Sequence, residues 1–157
     1  MSILALDLGT NFLSVFVPGH PAPQGSKRIG FMGRGGSRPM IIDDCKKTKP
    51  WRSDIRSALL DAEGQPLRFF EGAVNVQLVF IMPRPLSAPK RTTPPATKKP
   101  DLDKLTRAVF DAIGSAGIWR DDSQVVGAIV TKRIAEIGET GGCRLTIAAV
   151  ESKKAAA

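Results

Sequence analysis

Four aspartates flank one short stretch of the chain, two before it and two after it. Asp101 and Asp103 stand at the start of a segment with helical periodicity, and Asp121 and Asp122 follow that segment as a pair. Clustered carboxylates repel one another, and a divalent cation removes the conflict without protonating one of them. Because no His or Cys lies nearby, the oxygen ligands favour Mg²⁺, with Mn²⁺ as a substitute, over zinc. Such a site suits phosphodiester hydrolysis, since the ion positions the phosphate, activates a water and stabilises the leaving oxygen.

A basic residue lies among these acids. Arg107 is four residues from both Asp103 and Asp111, so a helix would place it between two carboxylates that it can support. Beside a metal it would act as a fixed positive group. The alternative interpretation is a capped surface helix followed by a solvated Asp-Asp turn, and spacing alone does not decide between the two.

The helix that positions the acids is indicated by its apolar residues. Either Asp101 or Asp103 can cap its first turn, and Gly117 predicts its end. The chain then returns through Trp119, so helix and return loop together would bring three or four acids into one place. The residues that predict its buried face recur at three- and four-residue steps: Leu105, Ala108, Val109, Ala112, Ile113 and Ala116.

The charge of the chain predicts an anionic partner. Its 23 basic residues outnumber 15 acidic ones, giving a net charge of +8. The segment between Met82 and Asp101 holds six prolines and no acid, which excludes a helix or a central strand. We expect an extended loop that orders on a phosphate backbone, with a solvated linker as the alternative. The expected nucleic-acid contacts are Lys90, Arg91, Lys98, Lys99 and Lys104.

Other kinds of chemistry find little support. His20 is the only histidine and has no nucleophile motif around it. Cys45 and Cys143 lie far apart and are predicted to be reduced and structural. Reduced cysteines and the absence of a signal or membrane segment predict a cytoplasmic protein. The glycine-rich segment 33–37 matches neither a P-loop nor a dinucleotide fingerprint, so no nucleotide cofactor and no membrane partner are expected.

The remaining periodicity predicts one α+β domain, with two main helices packed on a small mixed β-sheet in the order β-α-β-α-β-β. Segment 21–36 is expected to be a mobile basic loop, and a turn at 138–142 is expected to join the last two strands. The predicted boundaries are an N-terminal extension or extra strand at 1–12, the domain at 13–152 and a disordered tail at 153–157. The predicted elements are strand 13–18, helix 51–62, strand 72–82, the acidic helix, and strands 125–134 and 143–150.

Two segments resemble a known family. Segment 99–112 reads Lys-Pro-Asp-Leu-Asp-Lys-Leu-Thr-Arg-Ala-Val-Phe-Asp-Ala, and segment 117–126 reads Gly-Ile-Trp-Arg-Asp-Asp-Ser-Gln-Val-Val. Together they resemble the signature of RusA-type Holliday junction resolvases, particularly their phage and prophage members. The resemblance extends over roughly 16–151, and about thirty residues carry its specific part.

The resemblance implies a homodimeric, Mg²⁺-dependent endonuclease of DNA recombination and repair, which makes paired symmetric nicks in four-way junctions. By position, Asp101, Asp103 and Asp122 match the catalytic acids that bind metal, and Asp121 is the neighbouring acid of the same turn. Arg107 stands where the best-known form of the pattern has a catalytic lysine. Lys104 stands where that form has asparagine.

Residues 1–12 depart from the family pattern. Segment 1–10 faintly resembles the first strand of the RNase H-like fold, whose Asp-x-Gly pattern binds metal in RuvC resolvases, but no second or third acidic strand follows in that order. Two other functions remain open from sequence. One is a non-catalytic basic DNA-binding module, and the other is a metal nuclease that acts on other branched nucleic acids.

Overall fold

The computed structural model describes residues 11–25, 27–32, 38–43 and 47–151. These residues form two helices and two β-sheets, which confirms the predicted α+β class. A short 3₁₀ turn, Asp122–Gln124, precedes the fifth strand. The elements in chain order are β1 Phe12–Pro18, β2 Lys27–Met32, β3 Arg38–Asp43, α1 Thr48–Ala58, β4 Val74–Met82, α2 Leu102–Ser115, β5 Val125–Ile134 and β6 Gly142–Ala149.

The larger sheet has four strands in the order β1-β6-β4-β5. Strand β6 runs antiparallel to both β1 and β4, whereas β4 and β5 are parallel, so the sheet is mixed as predicted. Parallel neighbours need a crossover connection, and here the crossover contains the proline-rich loop and α2. The fold therefore places the acidic helix against the sheet, beside the strand that follows it.

Both helices bury one face against the sheet. The apolar period of α2 is confirmed, because Leu105, Val109 and Ile113 are fully buried. They pack in one core with Trp51 and Ile55 of α1 and with the inward side chains of β4 and β6. Deletion of one such side chain typically costs about 2–5 kcal/mol. This packing fixes the position of the opposite, polar face of α2.

The ends of the helices can be traced to individual residues. Gly117 takes a left-handed conformation, with φ of 74°, just beyond α2, as its predicted stop requires. Helix α1 ends at Ala58 rather than at Ala62, because Asp61 organises a turn instead. Its carboxylate accepts hydrogen bonds from the backbone of Glu63 and Gln65, at 3.0 and 2.8 Å.

One predicted connection was wrong. Within the expected basic loop at 21–36, Lys27–Met32 forms strand β2, which pairs with the following strand β3 as a separate antiparallel sheet. Pro39 is compatible with this pairing because both strands of a two-stranded sheet are edges. The segment around 138–142 does connect β5 to β6 along the chain, but the two strands are not neighbours in the sheet, because β4 lies between them.

Several sequence-based expectations fall on residues outside the described ranges. They concern the extension at 1–10, segment 33–37, Cys45 and the tail at 153–157. Cys143 is described and buried, and burial raises the pKa of its thiol to about 12. Within the described part of the chain, neither helix is long and apolar enough to cross a membrane.

Candidate active site

The first turn of α2 presents two of the predicted acids. Asp101 occupies the N-cap position with an extended backbone, but its side chain accepts no capping hydrogen bond. Its carboxylate instead lies 3.6 Å from Nζ of Lys104, and both side chains are about half exposed. Asp103 is exposed one residue into the helix. A carboxylate here also benefits from the positive end of the helix dipole.

A cavity of about 560 Å³ runs beside α2 and contains three of the predicted site residues. Asp103 and Arg107 contribute from the helix, and Asp122 contributes from the 3₁₀ turn before β5. Neither Asp101 nor Asp121 lines it. The remaining lining residues, which sequence reasoning did not identify, are Leu102, Thr106, Phe110 and Val130.

Asp121 holds the turn that carries Asp122. Its carboxylate accepts a hydrogen bond from the backbone of Ser123 at 2.9 Å, and hydrogen bonding by Ser123 lowers the pKa of Asp121. Gln124 completes a capping box by accepting from the backbone of Arg120 and of Asp121. The Gln124 amide also donates to the Phe70 and Gly72 carbonyls, at 2.9 and 2.8 Å. The two neighbouring acids thus differ: one is engaged in backbone structure, and the other faces the cavity.

The expected support of two carboxylates by Arg107 was wrong. Asp111 lies 3.5 Å from the Arg52 guanidinium and accepts a hydrogen bond of 2.9 Å from the Gln24 amide. Among the residues that the structure describes, Arg107 forms no ion pair with either Asp103 or Asp111. Exposed i,i+4 pairs are worth only a few tenths of a kcal/mol, so a partner from α1 readily replaces one. Arg107 therefore contributes its positive charge to the cavity.

The proline-rich loop has no helix or strand between β4 and α2, as predicted, but it is attached to the domain by two basic side chains. The Arg84 guanidinium donates to the Thr93 hydroxyl at 2.9 Å and to the carbonyls of Pro89, Thr92 and Ala135. Lys132 of β5 donates to the carbonyls of Lys98 and Pro100, at 2.9 and 2.8 Å. Neither anchor was predicted, because the spacing of basic residues does not show whether a side chain binds backbone carbonyls or is solvated.

The basic residues predicted to contact nucleic acid lie outside these anchors. Lys90, Arg91, Lys98 and Lys99 are all exposed on the loop. Lys104 lies on the first turn of α2 and pairs with Asp101. The loop therefore presents four exposed cations, of which Lys98 and Lys99 directly precede the acidic helix.

The predicted gathering of three or four acids does not form within the described ranges, where no three His, Cys, Asp or Glu side chains are close enough to share one ion. Magnesium is nevertheless commonly bound by one or two protein carboxylates, with water and substrate phosphates completing its octahedron. Asp103 and Asp122, which border one cavity, meet that requirement with hard oxygen donors.

Residues 18–147 match the family described as Endodeoxyribonuclease RusA. The chain belongs to this family. The Crossover junction endodeoxyribonuclease RusA of Escherichia coli strain K12 is 33% identical over 94 residues, which make up 59% of this chain and 75% of that protein. The protein of that name from Shigella sonnei strain Ss046 gives the same values. The one from Enterobacteria phage 82 is 40% identical over 57 residues, 36% of this chain and 44% of that protein.

The RusA match covers the whole candidate site. It includes the proline-rich loop, α2, the turn with Asp122 and strand β5. Both the predicted family and the predicted class of enzyme, a nuclease that hydrolyses DNA, are confirmed by the names of the family and its relatives.

Proposed function

We propose that the protein is a Mg²⁺-dependent endodeoxyribonuclease that resolves four-way DNA junctions by paired symmetric nicks. The observation that carries the proposal is the single cavity bordered by Asp103, Arg107 and Asp122. It lies inside the part of the chain that matches the RusA family. Two carboxylates and a permanent cation on one cavity suit a phosphodiester better than they suit a neutral substrate.

The carboxylates of Asp103 and Asp122 would hold Mg²⁺, and Asp101, which pairs with Lys104 in the structure, would join them by exchanging that partner for the ion. When bound, the ion supplies Lewis-acid activation of water and of the phosphoryl group. Arg107 stabilises negative charge that develops on the phosphate. This stabilisation is electrostatic only, because a guanidinium stays protonated at neutral pH and so cannot act as a general acid or base.

The exposed lysines and Arg91 of the proline-rich loop contact the DNA backbone on the approach to the cavity. Contacts to phosphate carry no direct sequence information, so they recognise the shape of the junction. A four-way junction has approximate two-fold symmetry. A symmetric homodimer of this chain would present two equivalent sites in the relation that two symmetric cuts require.

A nicking assay tests the proposal. A labelled four-way junction and a matched linear duplex are incubated with Mg²⁺, Mn²⁺ or EDTA and with wild type, Asp103→Asn or Asp54→Asn. Asp54 is an exposed acid of α1 outside the cavity, and its variant serves as the matched control. We expect metal-dependent symmetric nicks from wild type and the control, and about 100-fold slower cleavage by Asp103→Asn. DNA binding by Asp103→Asn should persist or tighten, because repulsion of phosphate falls.

Three outcomes would contradict the proposal in different ways. Junction binding without cleavage in any divalent metal would support a non-catalytic DNA-binding module. Equal cutting of the linear duplex, or of forks and flaps tested in the same way, would show that the enzyme does not select four-way junctions. Full activity of Asp103→Asn would show that this cavity is not the active site.

A further inference from the structure

A second cavity, of about 360 Å³, lies beneath the proline-rich loop. Its floor includes Met82 and Ile134, which are register partners at the ends of β4 and β5. Six prolines of the loop line its wall, and the single histidine, His20, contributes from the segment after β1. Lys98 and Lys99 also line it, so a predominantly apolar cavity carries two cations.

The loop that covers this cavity is held by hydrogen bonds from both sides. Arg84 ties its first half to the segment after β5, and Lys132 ties its last residues to β5 itself. Both side chains use their donors on backbone carbonyls of the loop. The cavity is therefore largely formed before any ligand arrives, and a preformed pocket avoids part of the entropic cost of binding.

The two cavities are neighbours along one face of β5. Val130 lines the acidic cavity and Ile134 lines the second one, and Lys132 lies between them on the same face of the strand. Four residues of extended strand span about 13 Å. That is the length of a few nucleotides of one DNA strand. One strand can therefore reach both cavities.

We propose that the second cavity binds one unstacked nucleobase of the DNA strand whose phosphate occupies the acidic cavity. The inference rests on the proposed function, and it makes this cavity the source of a preference for the base near the nick. Proline rings and the His20 imidazole give an inserted base mostly apolar surfaces to pack against, and the shape of such an enclosed pocket discriminates between a purine and a pyrimidine. A volume near the lower end of ligand pockets is sufficient for a single base.

The charged groups are arranged for a nucleotide rather than for a free apolar molecule. Lys98 and Lys99 lie beside the cavity, where the phosphates that flank an inserted base would be. Partial burial, and to a lesser degree Lys47, lowers the pKa of the His20 imidazole, which favours the neutral ring. A neutral ring packs against a base and offers one donor and one acceptor to its edge.

Fluorescence of 2-aminopurine, which rises when the base leaves the stack, tests the inference. The analogue is placed in turn at each position near the nick of a four-way junction, and binding is measured without divalent metal. Ala96→Phe fills the cavity from the loop, and Ser87→Phe fills it from an exposed position where folding is not at risk. Ala62→Phe, at an exposed alanine outside both cavities, is the matched control.

We expect wild type and Ala62→Phe to raise the fluorescence at one position, and both cavity-filling variants to abolish the rise. Cleavage of junctions with each of the four bases at that position should show a preference in wild type that falls about tenfold in the filled variants. Thermal unfolding of each variant checks that its fold is intact.

The two proposals fail separately. If wild type cleaves junctions but no position becomes fluorescent, or if Ala96→Phe and Ser87→Phe leave the rise unchanged, the base pocket is overturned and the resolvase stands. If the rise occurs and is lost on filling while no DNA is cut, the base pocket stands and the proposed activity is overturned.

Discussion

At the scale of single residues, Arg107 is the basic side chain that borders the acidic cavity. It lies one helical turn beyond Asp103. If its role is only electrostatic, charge matters and the shape of the group does not. We expect Arg107→Gln to slow single-turnover cleavage of a junction by about 10²–10³-fold, and Arg107→Lys to retain most of the rate.

The matched control for this charge is Arg68→Gln, which removes an exposed cation outside both cavities. It should cleave at the wild-type rate at saturating protein. Equal losses in Arg107→Lys and Arg107→Gln would show that the guanidinium contributes geometry that an ammonium does not reproduce.

Glu139 governs part of the acid sensitivity of the fold. Hydrogen bonds from Arg133, at 2.5 and 2.6 Å, and one from the Glu136 backbone lower the pKa of Glu139 from 4.5 to about 2. A carboxyl whose pKa is lowered by folding stabilises the folded state above its unfolded pKa, and this contribution is lost as the pH falls through the folded value. Unfolding by urea should therefore become easier between about pH 4.5 and pH 2.

Glu139→Gln should flatten that part of the pH profile, because the substituted side chain does not titrate. Glu63→Gln, at an exposed acid of the turn after α1, should leave the profile unchanged. A wild-type slope that survives in Glu139→Gln would assign the acid sensitivity to other carboxyls.

At the scale of elements, the first half of the proline-rich loop is held by the Arg84 side chain. Loss of the Arg84 guanidinium removes donors from the loop carbonyls and from Thr93. Each hydrogen bond contributes about 1 kcal/mol, so Arg84→Ala should open the loop more often and speed tryptic cleavage after Lys90 and Arg91 about tenfold. Mass spectrometry of a digestion time course measures this.

Arg84→Lys separates anchoring from charge, since an ammonium keeps the charge but cannot reproduce the forked geometry. We expect it to be nearly as susceptible as Arg84→Ala. Protection equal to wild type would mean that charge alone holds the loop.

The elements also show what the sequence can and cannot predict. Helix α2 was predictable because its buried face repeats with the period of the helix and Gly117 ends it. Strands β2 and β3 were not predicted, because the glycines and prolines of this region indicated a loop. The two short strands are recognisable only from their pairing with each other. The partner of Asp111 was missed for the same reason, since Arg52 approaches it only when α1 packs beside α2.

At the scale of the whole molecule, the central expectation is that two copies act on one junction. A net charge of +8 favours binding to DNA but does not by itself impose symmetry. The pairing of cuts requires two active sites related by a two-fold axis. A dimer with one inactive site should therefore nick one strand and leave the junction unresolved.

Mixing wild type with Asp103→Asn measures this on a supercoiled plasmid that extrudes a cruciform, where a single nick gives a relaxed circle and paired nicks give a linear product. When the two chains are unfolded together and refolded at equal amounts, so that they pair at random, about a quarter of the dimers are fully active. We expect the yield of linear product to fall toward that fraction while relaxed circles accumulate, and mixtures with Asp54→Asn to give linear product throughout. Linear product that instead follows the wild-type share, at one half, would show that each copy acts alone, because a single site would then make both cuts in succession.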